Sequence, residues 1–218
     1  DPERISINDD NYLTSPADGE ILMIHEIDGP KEVGLESKKF TKISIFMNVF
    51  NCHVNRTPVS ANVEEILYKP GKFLNASLDK SSEENERNYY RLKTKEGDDI
   101  IIVQIAGLIA RRIVCEVANN QSLRQGDRIG MIRFGSRVDI YFSNRKLLAK
   151  LGQNVVAGES LGISAVIDTV IPITFLHISL LPGASLNQTL ENGLNGLVYC
   201  FGGSLQVGEG NEQVSDGE

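Results

Sequence analysis

Short apolar runs, each closed by a turn-forming residue, are the feature that most limits how this chain can fold. Most runs span about five to nine residues, are rich in Ile and Val, and are bounded by Gly, Asp, Asn or Pro, which is typical of β-strands. Helical periodicity is weak along the chain. The clearest predicted strands are residues 19–27, 42–49, 62–68, 89–94, 99–105, 112–117, 128–132 and 137–142.

Glycine-containing turns separate these runs. Residues 95–99 and 125–127 are predicted hairpin turns. Segments 125–130 and 152–162 each place a Gly-polar turn before an apolar strand that closes on another Gly, which suits the tight corners of small barrel-sandwich domains. We therefore predict a mainly β protein, a compact antiparallel domain of barrel-sandwich type with few short helices.

Charge is unevenly distributed over the chain. The formal net charge is −7, which argues against general nucleic-acid binding, yet six acidic residues and no Lys or Arg lie in residues 164–218. This shift predicts a boundary, with a domain at residues 1–163 and an unassigned acidic tail at 164–218. The apolar stretch 163–181 contains Asp168, Pro172 and His177, so we interpret it as a buried or irregular segment, because charges within a membrane span are costly.

The cysteines point to neither a disulfide framework nor a zinc site. Cys52, Cys115 and Cys200 are odd in number, far apart and in no C-x-x-C pair. We expect a reducing compartment and no bound metal, because the sequence offers no credible cluster of metal ligands.

Three local motifs contain residues capable of chemistry. Asp18 lies in a Pro- and Gly-containing turn at 15–19, and His53 lies in the run 46–58 beside several polar residues. Gly135 and Ser136 adjoin within the run 133–139. Each motif alone is more often structural: a turn Asp, a core His and a Gly-Ser turn.

The pair Gly135-Ser136 suits one particular reaction, internal serinolysis. In that reaction a Ser hydroxyl attacks the carbonyl of the preceding residue through a five-membered ring. A Gly before the Ser removes the Cβ that would block the approach, and it tolerates a strained backbone.

Taken in order, these motifs resemble the phosphatidylserine decarboxylases, specifically the short bacterial form. The resemblance covers roughly residues 1–163, and it also includes segments 1–4, 70–80, 85–87 and 104–112. No single segment is diagnostic, but the ordered set is highly specific.

The resemblance implies a self-cleaving enzyme that decarboxylates phosphatidylserine to phosphatidylethanolamine. Ser136 attacks the Gly135 carbonyl, so that residues 1–135 become a β chain and residues 136 onward an α chain beginning with a covalent pyruvoyl group. That carbonyl forms a Schiff base with the substrate amine and accepts the electron pair when carbon dioxide leaves. No diffusible cofactor is implied.

The resemblance also suggests roles for other side chains. His53 is the predicted acid-base group, and Asp18 is predicted to orient it and fix its tautomer. Longer relatives carry a second His where this chain has Arg56, which we assign to charge stabilisation or phosphate contact because guanidinium stays protonated. Further candidates for phosphate binding are Lys72, Arg111 and Arg112.

The implied partners are phosphatidylserine in the membrane and the α and β chains of one proenzyme. We expect peripheral attachment to the cytoplasmic side of the cell membrane, and the N-terminal hydrophobic anchor of the family is missing from this chain. The sequence leaves the oligomeric state open, a homo-oligomer included.

Two alternative functions remain open at the sequence level. A lipoyl-like carrier domain would suit the 152–162 segment but needs a Lys at a hairpin tip, which neither Gly-bounded segment offers. A pyruvoyl enzyme that acts on a soluble amino acid would share the self-cleavage chemistry.

Overall fold

The computed structural model describes residues 1–4, 7, 9–77, 84–108, 112–133, 135–164, 204–207 and 212–215. The chain divides into two compact units, Asp1–Asp168 and Thr169–Glu218. Within the described residues, no helix combines the length and apolar character that a membrane crossing requires.

The first unit is built almost entirely from strands, with a short 3₁₀ turn at Lys31–Val33. The strands are β1 (Tyr12–Thr14), β2 (Gly19–Asp28), β3 (Lys39–Met47), β4 (Val54–Arg56), β5 (Ala61–Lys69), β6 (Arg87–Lys93), β7 (Asp99–Ile105), β8 (Ile113–Cys115), β9 (Ser122–Leu123), β10 (Arg128–Ile132), β11 (Ser136–Phe142), β12 (Arg145–Leu147), β13 (Asn154–Val155) and β14 (Ser160–Ser164).

Three antiparallel sheets organise these strands. The largest has eight strands in the order β13-β2-β3-β11-β7-β6-β5-β9, and two three-stranded sheets have the orders β1-β14-β12 and β4-β10-β8. The predicted mainly β, antiparallel class is confirmed. Strand β11 lies between β3 and β7, so its backbone is hydrogen-bonded on both edges.

Both faces of the central strands β7 and β11 of the large sheet are buried. On β7, Ile100 and Ile102 belong to the main core, whereas Ile101, Val103 and Ile105 belong to a second cluster with Phe40, Tyr89 and Tyr141. Because successive side chains on a strand point to opposite faces, a strand buried on both sides favours an apolar run such as Ile100–Val103 of β7. This explains why the central strands could be recognised in the sequence.

A buried polar network connects the large sheet to the sheet that contains β4. The Tyr90 hydroxyl donates to Gln104 Oε1 at 2.7 Å, and Gln104 Nε2 donates to Asn55 Oδ1 at 2.8 Å. All three side chains are fully buried, where a lost partner is costly. The network therefore fixes β4, and the residues just before it, against β6 and β7.

The eight predicted strands are confirmed, with ends shifted by a few residues. The turn at 95–99 joins β6 to β7 as a hairpin, in which the Thr94 N–H donates to the Asp98 carbonyl. The hairpin predicted at 125–127 is wrong. The chain does turn there, but β9 pairs with β5, while β10 pairs with β4 and β8. The strands on either side of this turn, β9 and β10, therefore pair with different strands. Leu123 of β9 is buried in the main core.

The second unit contains an antiparallel pair, β15 (Ser204–Val207) and β16 (Glu212–Ser215). The predictions of an acidic tail and of a buried or irregular segment at 163–181 fall almost wholly outside the described residues. The tail boundary therefore stays a prediction.

Candidate active site

The Gly135-Ser136 bond lies at the start of β11. Ser136 is paired with Met47 at the end of β3, and Arg137 is paired with Ile105 at the end of β7. Ser136 is fully buried. The bond is therefore held where three neighbouring strands begin or end, and the central strand pairing fixes its position.

The carbonyl of Gly135 is packed against Gly107. A Cβ placed on Gly107 would lie only 1.7 Å from the Gly135 carbonyl oxygen, so no residue larger than glycine fits there without displacing that carbonyl. Gly135 itself has a φ of 69°, in the left-handed region that glycine adopts readily. Both glycines are thus required by the backbone path around the bond.

The Ser136 hydroxyl is buried and has no hydrogen-bond partner among the described residues. Ser136 lies on the same face of β11 as Val138 and Ile140, which belong to the main core. Burying a hydroxyl without a partner is unfavourable, and such exceptions often mark functional groups. This hydroxyl adjoins the one carbonyl that it could attack through a five-membered ring.

A cleft of about 270 Å³ opens beside the same bond. Gly135 forms part of its wall, together with the asparagine side chains of Asn48 and Asn75. The remaining lining residues are apolar: Phe46, Val49 and Leu108. A largely apolar cleft with a few polar groups is the usual form of a small-molecule site.

His53 lies in the connection between β3 and β4 and is largely buried. Its carbonyl accepts a hydrogen bond from Ile132 N–H at 3.2 Å, which attaches it to the strand that leads to Gly135. Its ring Nδ1 lies 2.8 Å from the Asn51 carbonyl oxygen. Since a carbonyl only accepts, Nδ1 carries the proton in the neutral ring and the lone pair is on Nε2.

The surroundings of His53 favour the neutral ring. Burial lowers the pKa of His53, while the bond to Asn51 and the negative charge of Asp18 oppose this to a smaller extent. The net pKa is below the usual value of 6.5. At neutral pH the ring is therefore mostly unprotonated and suited to accept a proton.

Asp18 is brought close to His53 by two backbone contacts. A Cβ on the adjoining Gly19 would lie 2.3 Å from the Phe46 carbonyl oxygen, and Arg56 N–H donates to the Pro16 carbonyl at 2.9 Å. The Asp18 carboxylate accepts from Ala157 N–H at 2.9 Å and is paired with Arg4. Asp18 acts on the His53 ring through its charge, and its predicted role in orienting the ring stays a prediction.

The four basic residues predicted from the sequence have different surroundings. Arg56 lies near Asp18, where it donates to the Gly126 carbonyl at 2.9 Å and to Asp1 at 2.8 Å. Lys72 is exposed and paired with Glu84 at 2.9 Å, and Arg112 is exposed. Arg111 lies outside the described residues. The structure thus brings Arg56, but not Lys72, into the group around His53 and Asp18.

Three contributors to the site were not recognised as such in the sequence. Gly107 lies in segment 104–112, and Asn51 lies in the run 46–58. The close approach of Gly107 to another backbone and the hydrogen bond accepted by the Asn51 carbonyl have no recognisable pattern in the sequence. Arg137 is fully buried, donates to the Ala76 carbonyl at 3.3 Å and pairs with Asp139 at 3.2 Å. It therefore attaches the loop containing Asn75 and Ala76 to β11 immediately after Ser136.

Comparison with known proteins identifies the family. Residues 1–163 match the family model for phosphatidylserine decarboxylase. The chain belongs to the phosphatidylserine decarboxylase family. It is 73% identical over 161 residues to a phosphatidylserine decarboxylase proenzyme from Pelagibacter ubique (strain HTCC1062), covering 74% of this chain and 75% of the relative.

A second family member gives the same picture at lower identity. The phosphatidylserine decarboxylase proenzyme of Ruegeria pomeroyi (strain ATCC 700808 / DSM 15171 / DSS-3) is 48% identical over 161 residues, which is 73% of this chain and 74% of the relative. The predicted family and the predicted enzyme class, a decarboxylase, are confirmed. Both relatives are named as proenzymes, which is consistent with a precursor that is processed.

No group of three or more His, Cys, Asp or Glu side chains that could hold a metal ion occurs among the residues that the structure describes.

Substitution of Gly107 tests the packing around the Gly135 carbonyl. Gly107→Ala should slow self-cleavage by about 10²-fold, because displacement of a reacting group by about 1 Å can cost that much. Intact mass spectrometry over a time course would measure the uncleaved fraction. Gly162→Ala is the matched control, since its Cβ would lie 3.3 Å from the nearest heavy atom. Cleavage of Gly107→Ala at the wild-type rate, with a wild-type melting transition, would contradict this account.

Substitution of His53 tests its role as the base. His53→Ala should slow maturation by roughly 10²-fold or more, and Asp18→Asn should also impair it. Because the His53 pKa is lowered, the rate of wild-type maturation should fall with decreasing pH as the ring becomes protonated, with a midpoint below the ordinary histidine value of about 6.5. His25→Ala, at an exposed position on β2, is the control. A near wild-type rate for His53→Ala would mean that another group is the base.

Proposed function

We propose that this chain decarboxylates phosphatidylserine to phosphatidylethanolamine, using a pyruvoyl group that it makes from its own Ser136. The observation that carries the proposal is the buried Ser136 hydroxyl, without a hydrogen-bond partner among the described residues, directly after a carbonyl packed on Gly107. Family membership over residues 1–163 supports the substrate.

Self-cleavage begins when the Ser136 hydroxyl loses its proton to a base, a role that we assign to His53, whose Nε2 carries the lone pair. The Ser136 oxygen attacks the Gly135 carbonyl carbon, and the C–N bond of the peptide breaks as the nitrogen takes up a proton. This leaves an ester between Gly135 and the Ser136 side chain. The packing of Gly107 holds the carbonyl during the attack, and glycine at 135 accepts the left-handed conformation of this residue without strain.

Elimination then separates the two chains. A base removes the Cα proton of residue 136, its electron pair forms the Cα–Cβ double bond, and the bond between the Ser136 oxygen and Cβ breaks. Gly135 leaves as a carboxylate, and residue 136 becomes a dehydroalanine. Water converts this group to an N-terminal pyruvoyl group and ammonia. Residues 1–135 form the β chain and residues 136 onward the α chain, and the β11 pairings with β3 and β7 keep the two chains associated.

The surroundings of residue 136 fit a pyruvoyl group. The group would adjoin the cleft beside Gly135, and it would supply a carbonyl that accepts electrons during decarboxylation. The cleft offers Phe46, Val49 and Leu108 to the apolar part of a lipid, and Asn48 and Asn75 to its polar headgroup. Arg56, Arg111 and Arg112 are the residues that we assign to the lipid phosphate, and Lys72, paired with Glu84, is a weaker candidate.

The substrate also indicates where the enzyme acts. Phosphatidylserine is an anionic lipid of the cytoplasmic leaflet. We therefore assign the protein to the cytoplasmic face of the cell membrane as a peripheral enzyme.

Substitution of Ser136 tests both steps of the proposal. Wild-type protein should separate into two fragments under denaturing conditions, whereas Ser136→Ala should remain one inactive chain. Ser44→Ala is the matched control, because Ser44 is also buried, with no hydrogen-bond partner for its hydroxyl among the described residues, but lies on β3. Borohydride with phosphatidylserine should add the lipid mass to the α chain. Efficient turnover by uncleaved Ser136→Ala would overturn the mechanism, and turnover of free amino acids alone would overturn the substrate.

Truncation tests the domain boundary. A chain that ends at Ser164 keeps all of β14, which pairs with β1 and β12, so it should still cleave itself and decarboxylate. Fragment masses and carbon dioxide release would measure both. A truncated chain that fails to fold would place the tail within the catalytic domain.

A further inference from the structure

We propose that Val49, Phe50 and Leu108, which we call the lip, insert into the interface of a bilayer that contains anionic lipid. This inference rests on the proposed function, because the lip borders the cleft beside Gly135. Val49 and Leu108 line that cleft, and Phe50 adjoins Val49 in the chain.

The lip is more exposed than apolar side chains normally are in a folded domain. The exposed fractions are 94% for Phe50, 59% for Leu108 and 44% for Val49. Single exposed apolar residues need no explanation, but a group at the mouth of a cleft marks an interaction surface. Phe and Leu are residues that peripheral proteins bury at the boundary between headgroups and acyl chains.

Phe50 is presented by an ordered turn at residues 48–51. Phe50 N–H donates to Asn48 Oδ1 at 2.8 Å, and Asn48 N–H donates to Asn51 Oδ1 at 2.8 Å. Asn51 N–H also donates to the Asn48 carbonyl at 3.2 Å. None of these bonds uses the Phe50 side chain, so the turn holds that ring in solvent without any contribution from it.

The charge around the cleft matches an anionic surface. Two exposed cations lie close in the chain to residues that line the cleft: Arg112 follows Leu108, and Arg133 precedes Gly135. They adjoin each other, since Arg133 N–H donates to the Arg112 carbonyl at 3.4 Å, although the chain carries −7 overall. A basic residue near an anionic bilayer contributes about 1 kcal/mol of attraction.

A membrane fits this surface better than a second copy of the chain. A two-fold interface places the same patch on both subunits, so a dimer formed through the lip would bring together two patches that both carry the exposed cations Arg112 and Arg133. Like charges facing each other across an interface are unfavourable. An anionic bilayer accepts the apolar residues and the cations together.

Vesicle binding tests the proposal without involving turnover. The probe is a vesicle of phosphatidylcholine and phosphatidylglycerol without phosphatidylserine, and binding is measured by co-sedimentation. Phe50→Ser should weaken binding about tenfold, the effect of exposing one buried aromatic side chain. Ile27→Ser is the matched control. Ile27 is 41% exposed and pairs with Phe40 of β3. Phe40 lies seven residues before Met47, so Ile27 is ~23 Å from the end of β3 that leads to the lip.

Further arms separate the outcomes. Arg133→Gln should weaken binding to these vesicles about fivefold and have little effect with phosphatidylcholine alone. Phe50→Ser should still cleave itself and turn over a short-chain, monomeric phosphatidylserine at the wild-type rate. If Phe50→Ser binds vesicles as tightly as the wild-type protein, the proposed membrane insertion of the lip is wrong. It is also wrong if the wild-type protein is a dimer and Phe50→Ser converts it to a monomer. Failure of the wild-type chain to cleave itself would instead overturn the proposed function.

Discussion

The contact between the Gly135 carbonyl and Gly107 is the constraint on which the site depends. It exists because β11 and β7 pair side by side, so that the residues just before β11 meet the residues just after β7. The same pairing buries Ser136 at the first position of β11. The Gly135-Ser136 bond lies at the start of a doubly paired strand, so the neighbouring strands fix its position.

Polar groups are buried around this bond in two different ways. The pair Gln104–Asn55 is neutral and satisfied by hydrogen bonds, which stabilises the connection between two sheets. Arg137 and Asp139 are charged and lie on the opposite face of β11 from the main core, where their mutual attraction offsets part of the desolvation cost. Ser136 differs from both, because its hydroxyl has no partner among the described residues. The site therefore combines rigid surroundings with one unsatisfied reactive group.

The turn at residues 48–51 connects the chemistry to the surface. Its Asn51 carbonyl accepts from the His53 ring, while its Phe50 side chain points to solvent. Val49, which precedes Phe50 in the same turn, lines the cleft. One short turn thus fixes the tautomer of His53 and presents an apolar residue to solvent, which explains why so much polarity occurs in an otherwise apolar segment.

The sequence by itself determined the β architecture and the reactive pair. Strands buried on both faces are rich in apolar residues, as β7 is, and Gly135-Ser136 is a local chemical unit whose competence depends on adjacent atoms. Only the tertiary structure decided that Gly107 packs on the scissile carbonyl, that Asn51 bonds the ring of His53, and that β9 and β10 take separate partners. These are contacts of main-chain atoms between distant segments. Every residue has nearly the same main-chain atoms, so the pattern of side chains in a sequence does not reveal such contacts.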